Sequence, residues 1–481
     1  MARLKKLIPS IILNMKSWMI GAILFASLLA GCSNFSDRAP AKSASEYVWL
    51  TRYDVKTLDP AAVQDWTTGT VLSYLYPSIG NVCGVGNDKP SVFFLNVKPN
   101  KFSNGDLVTA EDIRFTLERC LVTEIHSTIG NQFASQIRGS KAFSDGKSEH
   151  LEGIKIDDAS HLTIILDHID STFPAKLRNN AFGVLNHKVV GLKKPLIDAR
   201  PGYGAGNWTM ETVSPGAEWL MKRKDTGELL KFRFSGDSAN RRNLFDTGSA
   251  DYAMFAAHEI GVVKGHKNLT KGGPTTLVYL QLNPKTKPSL DISMRYEIAA
   301  IIHSNVDFTK ILGDHVTPAI SFLQLSGLPQ LPSSGTSTLK ITNKDQFEIT
   351  FAEIGMQNPS VEAIVAALRS AGMDVKGRAM QSASMLEANS KGEISMLFTG
   401  WQPDYDGPLN TIPMLFHSKS SENHSGYHNS NVDRLIDLAQ SGVDTEKNIQ
   451  EASLMIEGET PGIPLYVQRD LVLMRREPPK P

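Results

Sequence analysis

From about Tyr47 onward, short apolar runs bounded by glycine, proline and polar clusters alternate with stretches whose apolar residues recur at three- and four-residue spacing. That alternation predicts mixed α/β layers, and no internal repeat interrupts it. Gly153-Ile154-Lys155-Ile156-Asp157-Asp158 and Leu162-Thr163-Ile164-Ile165-Leu166, joined by Asp-Ala-Ser, predict a hairpin. Leu277 to Leu282 predicts a further strand. Thr109 is placed to cap a helix carrying Ile113, Phe115, Leu117 and Leu121, with Asp112 three residues on. Pro359 to Leu368 predicts another helix, with Val361, Ile364, Val365 and Leu368 on one face and Gly372 just past its end. Pro318 to Ser337, rich in Pro, Ser and Gly, predicts a surface connection.

The N-terminal pattern differs. A basic stretch precedes the apolar run Met19 to Leu28, which is too short for a comfortable membrane span and ends in Leu29-Ala30-Gly31-Cys32. This is the pattern of a bacterial lipoprotein signal, in which Cys32 becomes the first mature residue and takes the lipid; a second acyl chain on the freed amine makes the anchoring stable. Met15-Lys16 starts a better-proportioned signal than Met1. Small polar residues from Ser33 to Ser45 then predict a flexible stalk. The expected location is extracytoplasmic, lipid-anchored to a membrane, on the periplasmic side if the cell is Gram-negative.

Beyond the leader, about 450 residues with 41% hydrophobic content suffice for two or three structural units. Lysine plus arginine and aspartate plus glutamate number 50 each, so no overall charge steers the chain to nucleic acid or anionic lipid. With Cys32 assigned to lipid, Cys83 and Cys120 remain, and export places them where thiols oxidise. A Cys83–Cys120 disulfide is the expectation, although sequence gives no distance between them.

Several segments carry a resemblance. Thr57-Leu58-Asp59-Pro60, the run Phe102-Ser103-Asn104-Gly105-Asp106-Leu107-Val108-Thr109-Ala110-Glu111-Asp112-Ile113, Gly204-Ala205-Gly206-Asn207-Trp208, Thr247-Gly248-Ser249-Ala250-Asp251-Tyr252, Gly400-Trp401-Gln402-Pro403-Asp404-Tyr405 and Pro464-Leu465-Tyr466 follow one another in order. Together they resemble family 5 extracellular solute-binding proteins, the oligopeptide- and dipeptide-binding group of ABC importers. The resemblance implies a two-lobed α/β fold with an inserted second lobe. Residues 1–31 would be signal and 32–46 stalk. The first lobe would take 47–280 plus 465–481, with a reduced subdomain at about 62–150, and the second lobe 281–464. It further implies a monomer that captures a peptide and delivers it to the permease subunits of an ABC transporter, without a cofactor.

By the same resemblance, Asp404 takes the ammonium of the ligand, Gly400 lets backbone approach closely, and Trp401 and Tyr405 offer apolar walls, with core packing the competing role for both. Gln64 and Trp66 correspond to another ligand-facing wall, unless they form a solvent-exposed loop. Where relatives hold the carboxyl end with basic residues before the Gly-Trp motif, this chain has Asn389 and Phe398, and its Arg295 region departs from the family pattern. A non-peptide ligand such as a nickel complex, haem, an opine or another amine is therefore the alternative, as is a lipoprotein without a transport role. An enzyme finds little support. There is no Gly-x-Ser-x-Gly elbow and no His-Glu-x-x-His motif, and Gly146-Lys147-Ser148 lacks the upstream glycine of a phosphate loop. His417, His424 and His428 fall in a polar stretch that reads as a loop rather than a metal site. Arg241-Arg242 reads as a solvated helix face, and Arg475 to Lys480 as a loose terminus.

Overall fold

Two long strands, Leu269–Leu282 and Gly462–Met474, run antiparallel through the middle of the molecule, paired from Leu269 opposite Leu473 to Gln281 opposite Gly462. The structure is a computed structural model that describes residues 46–326, 345–353, 358–405 and 407–481; the leader, Cys32 and the stalk lie outside these residues. On one side, Met396–Trp401 pairs with the 269–282 strand, then Gln346–Ala352 and Asp374–Met380 follow. On the other, Tyr252–Phe255 pairs with the 462–474 strand, then come Glu46–Thr51, Leu229–Phe234, Glu218–Arg223 and Trp208–Ser214. Register shifts at residues 271–279 break the central ladder, and such bulges bend and twist strands locally.

A second, four-stranded antiparallel sheet orders Cys83–Lys89, Val92–Val97, His161–Ile165 and Ile154–Ile156. The expected hairpin is here, with Ile154 opposite Ile164. This sheet draws on strands beyond residue 150 and packs against the helix Ala110–Arg119 in one core. That helix starts as its sequence predicts: the Asp112 carboxylate accepts from the Thr109 N–H at 2.8 Å and from its hydroxyl at 2.9 Å. The helix Pro359–Ser370 is capped by Asn358, whose side chain accepts from Ser360 N and Val361 N. It ends in a Schellman pattern, Met373 N to Leu368 O and Gly372 N to Arg369 O, with Gly372 at φ +98°. Among the described residues, no helix is long and apolar enough to cross a membrane.

Two of the sequence motifs form structural joints. Asp59 of the Thr-Leu-Asp-Pro run accepts from Ala61 N to start the turn Pro60–Ala62, and its two oxygens meet Nη1 and Nη2 of Arg119 at 2.7 Å each. Both side chains are essentially fully buried, and Leu196 N adds a 3.0 Å bond to Asp59. Gly204 and Gly206 are glycines because a Cβ at either would sit 2.2 Å from a backbone carbonyl, that of Leu75 or Tyr74.

Four expectations are corrected. Arg241 is not a solvated face: it is 0% exposed, bidentate to Glu259 at 2.7 Å and bonded to three backbone carbonyls, while Arg242 stays half-exposed. The C-terminal run is tied down, since Arg476 pairs with Asp251 at 3.1 Å, Tyr74 donates to Pro479 O and Trp208 donates to Lys480 O. The start of the Pro318–Ser337 connection is interior, with Ala319, Phe322 and Leu323 buried; its remainder from residue 327 lies outside the described residues. The Cys83–Cys120 disulfide is not formed. Cys83 opens a strand opposite Val97, whereas Cys120 closes the 110–119 helix and points its thiol at Ala181 O, 3.6 Å away. Burial pushes both thiols up to about 12, so neither offers a thiolate for exchange.

Candidate functional site

A cavity of about 300 Å³ opens where three separate stretches meet: 63–69, 178–180 and 402–404, with Ile129 beside them. Each stretch is placed by its own local chemistry. Asp65 caps the helix Trp66–Ser73, accepting from Thr68 N at 2.9 Å and from the Thr68 hydroxyl at 2.7 Å, so Trp66 is set at the first turn. Its indole is 42% exposed and tilted against Trp49 with centroids 6.4 Å apart. Gln64, just before, donates to the Thr128 hydroxyl at 3.1 Å.

Asp404 arrives from the other side. It follows the strand Met396–Trp401, and its backbone carbonyl accepts a 3.0 Å hydrogen bond from Asn179 Nδ2. Asn179 is itself held, because its Oδ1 caps the turn Asn180–Phe182 through Ala181 N at 2.9 Å. Next to Asp404, Tyr405 buries its ring edge-on to Phe133 at 5.9 Å and donates to Leu409 O at 2.8 Å. A sunk aromatic with a satisfied hydroxyl fixes the backbone on which the Asp404 carboxyl stands.

The carboxyl is left without a charge partner. Among the described residues no Lys, Arg or His forms an ion pair with Asp404, and burial, with the Glu422 carboxylate adding to it, pushes its pKa up to about 6. A half-buried carboxylate in that state gains from any cation brought to it. The cavity also holds Arg178, which follows the helix Phe173–Lys176 and is exposed.

Of the six candidate binding residues, the structure brings Asp404, Trp66 and Gln64 to one cavity. The other three stand elsewhere. Gly400 pairs with Val278 inside the sheet, and a Cβ there would meet Thr276 at 2.8 Å. Trp401 is half-buried against an apolar cluster and donates Nε1 to Asn410 Oδ1 at 3.1 Å. Tyr405 is buried in a core cluster. Asn389 is interior too, accepting from Gln281 at 2.7 Å, and Phe398, within the strand Met396–Trp401, is partly buried against a core cluster. His417 faces Asp437 at 3.3 Å and His424 faces Glu422 at 3.8 Å, each within the loop the sequence predicts. Sequence reasoning missed Arg178, Asn179 and Asn180. The available signal was the polar run Arg178-Asn179-Asn180 just before the apolar stretch Ala181–Leu185.

Comparison with known proteins agrees with this architecture. Residues 97–423 match the family model described as bacterial extracellular solute-binding proteins, family 5 middle. The chain is 20% identical to the dipeptide-binding protein DppE of Bacillus subtilis over 439 residues, covering 83% of this chain and 80% of that one. It is 22% identical over 486 residues to the probable D,D-dipeptide-binding periplasmic protein DdpA of Escherichia coli, covering 88% and 89%. In fold it is similar to the Escherichia coli murein tripeptide binding protein MppA, with a TM-score of 0.75 at 18% identity over 91% of this chain and 94% of that one. The mixed α/β fold is thus that of two-lobed binding proteins, and the chain belongs to the family 5 bacterial extracellular solute-binding proteins.

Proposed function

We propose that this protein captures a short peptide, or a similar small amine, in the cavity between Trp66 and Asp404 and delivers it to an ABC importer while tethered by lipid at Cys32. One observation carries the reading. Residues 64 and 66 and the distant residue 404 meet at a single cavity in which the Asp404 carboxylate is desolvated and, among the described residues, forms no ion pair. An ammonium group brought to Asp404 would restore the interaction energy lost on burial, and the Trp66 indole would cover apolar surface beside it. A volume of about 300 Å³ sits at the small end of the usual ~300–1,000 Å³ range of ligand sites, which favours a short ligand.

Relatives whose names state a dipeptide or tripeptide ligand support the same class. In this reading the two central strands, 269–282 and 462–474, act as the hinge between a lobe of residues 47–280 plus 465–481 and a lobe of residues 281–464. A ligand touching both lobes shifts the molecule towards closure only by its differential affinity for the closed state. Native mass spectrometry of the protein as purified, followed by calorimetry with the retained ligand, tests this. A retained compound without an amine, or binding untouched by Asp404→Asn, would falsify the assignment.

A further inference from the structure

We propose that Arg178 is the cation that receives the carboxylate of the bound ligand, so that the site selects zwitterions short enough to reach from Asp404 to Arg178. This rests on the reading of Asp404 as the ammonium partner. By the family resemblance, basic residues before the Gly-Trp motif hold the carboxyl end of a ligand; here that stretch carries Asn389, which is buried and bonded to Gln281, and Phe398, which is partly buried against the core. Arg178 fills that gap from a different part of the chain.

Three observations support it. First, Arg178 lines the same cavity as Asp404. Second, the guanidinium is uncommitted: among the described residues it forms no ion pair and no side-chain hydrogen bond, unlike Arg119, Arg241 and Arg476, which are bound to carboxylates. An arginine whose five donors lack protein partners is suited to bidentate carboxylate recognition. Third, its base is fixed. Leu177 O accepts from Gly80 N at 2.8 Å, Arg178 N donates to Ala175 O, and the Arg178 stem crosses Gly80 so closely that a Cβ there would lie 2.5 Å from Arg178 Cγ. A stem held at its root loses less freedom on binding than one on an open loop.

The neighbouring Asn179 links the two charges. Its backbone continues from Arg178, while its side chain holds the Asp404 carbonyl, so the residues that carry the two charges are tied together at their backbones.

The test uses one mixture of dipeptides offered in four forms: free, C-terminally amidated, N-acetylated, and blocked at both ends. Native mass spectrometry reads which forms remain bound to the wild-type protein and to Arg178→Gln, Arg178→Lys and Asp404→Asn. The Gln variant keeps the stem over Gly80 and removes the charge. The expected result is that wild type prefers the free acid over the amide by roughly 10–100-fold, as for a charge-assisted contact, that Arg178→Gln erases this preference, and that Arg178→Lys restores part of it. Equal binding of acid and amide by wild type, with acetylated forms still rejected, overturns the role of Arg178 and leaves Asp404 standing. An acid preference that persists in Arg178→Gln also overturns it. Equal binding of free and acetylated forms by wild type overturns the ammonium reading and with it the selection of zwitterions, and absence of binding by every form overturns the roles of both residues.

Discussion

Asn179 donates a 3.0 Å hydrogen bond from its side-chain amide to the backbone carbonyl of Asp404, joining two positions 225 residues apart at the mouth of the cavity. The bond does not touch the Asp404 carboxyl. It holds the peptide unit that carries it, and with the buried Tyr405 ring it leaves that carboxyl little choice of position.

Replacing Asn179 with Asp removes the donor of this bond and adds a negative charge beside Arg178 in the cavity lining. The new side chain still caps Ala181 N but turns an oxygen to the Asp404 carbonyl in place of a donor. Ligand affinity is expected to fall about tenfold, the cost of one lost and one repulsive polar contact, with the melting temperature changed little. Calorimetry paired with thermal unfolding checks it; unaltered affinity would mean that the Asn179 contact does not position the site.

Asp404 links binding and stability to pH in opposite directions. A carboxyl raised from 3.8 to about 6 holds its proton more tightly folded than unfolded, so stability falls as pH rises from about 4 to 6 and stays lower above. Asp404→Asn removes this cost and should stabilise the unliganded protein by about 1–3 kcal/mol at pH 7.5, with no difference near pH 3. Ligand affinity runs the other way, dropping about tenfold per unit as the wild-type carboxylate protonates below about 6. Denaturant titrations of both proteins across pH, with no pH-dependent gap between them, would contradict the unpaired carboxylate.

The Asp59–Arg119 pair predicts a large stability effect far from the ligand. Asp59→Ala strands a fully buried guanidinium and removes the partner of Leu196 N, so a loss of about 3–5 kcal/mol is expected. Guanidinium-chloride unfolding measures it. A change under about 1 kcal/mol would show that water or a rearranged carbonyl replaces the carboxylate.

Cys83 and Cys120 are expected to resist labelling in the folded protein and to react, both and without prior reduction, once it is unfolded. Intact-mass measurement with a maleimide in guanidinium, against the native control, counts the thiols. Two masked thiols that appear only after reductant would restore the disulfide.

Much of this molecule is legible locally. The capping of the 110–119 helix by Thr109 and Asp112, the Schellman end at Gly372 and the hairpin joining Ile154 to Ile164 are decided by residues within a few positions of one another, and sequence shows them directly. The ordered motifs from Thr57 to Tyr466 gave the family and, with it, Asp404, Trp66 and Gln64. What sequence missed was settled by partners that chain neighbours do not reveal. Arg241 reads as surface because two arginines in a row are usually solvated, yet Glu259 and three carbonyls satisfy it inside. The two cysteines read as a pair because export favours oxidation, yet both are buried in one core as free thiols, one opening a strand and the other closing a helix. Arg178 reads as one more exposed arginine until folding sets it in the same cavity as Asp404. Short-range hydrogen bonds and periodicity belong to the sequence; which charge meets which, across two hundred residues, is decided only when desolvation on folding makes an unpaired charge costly.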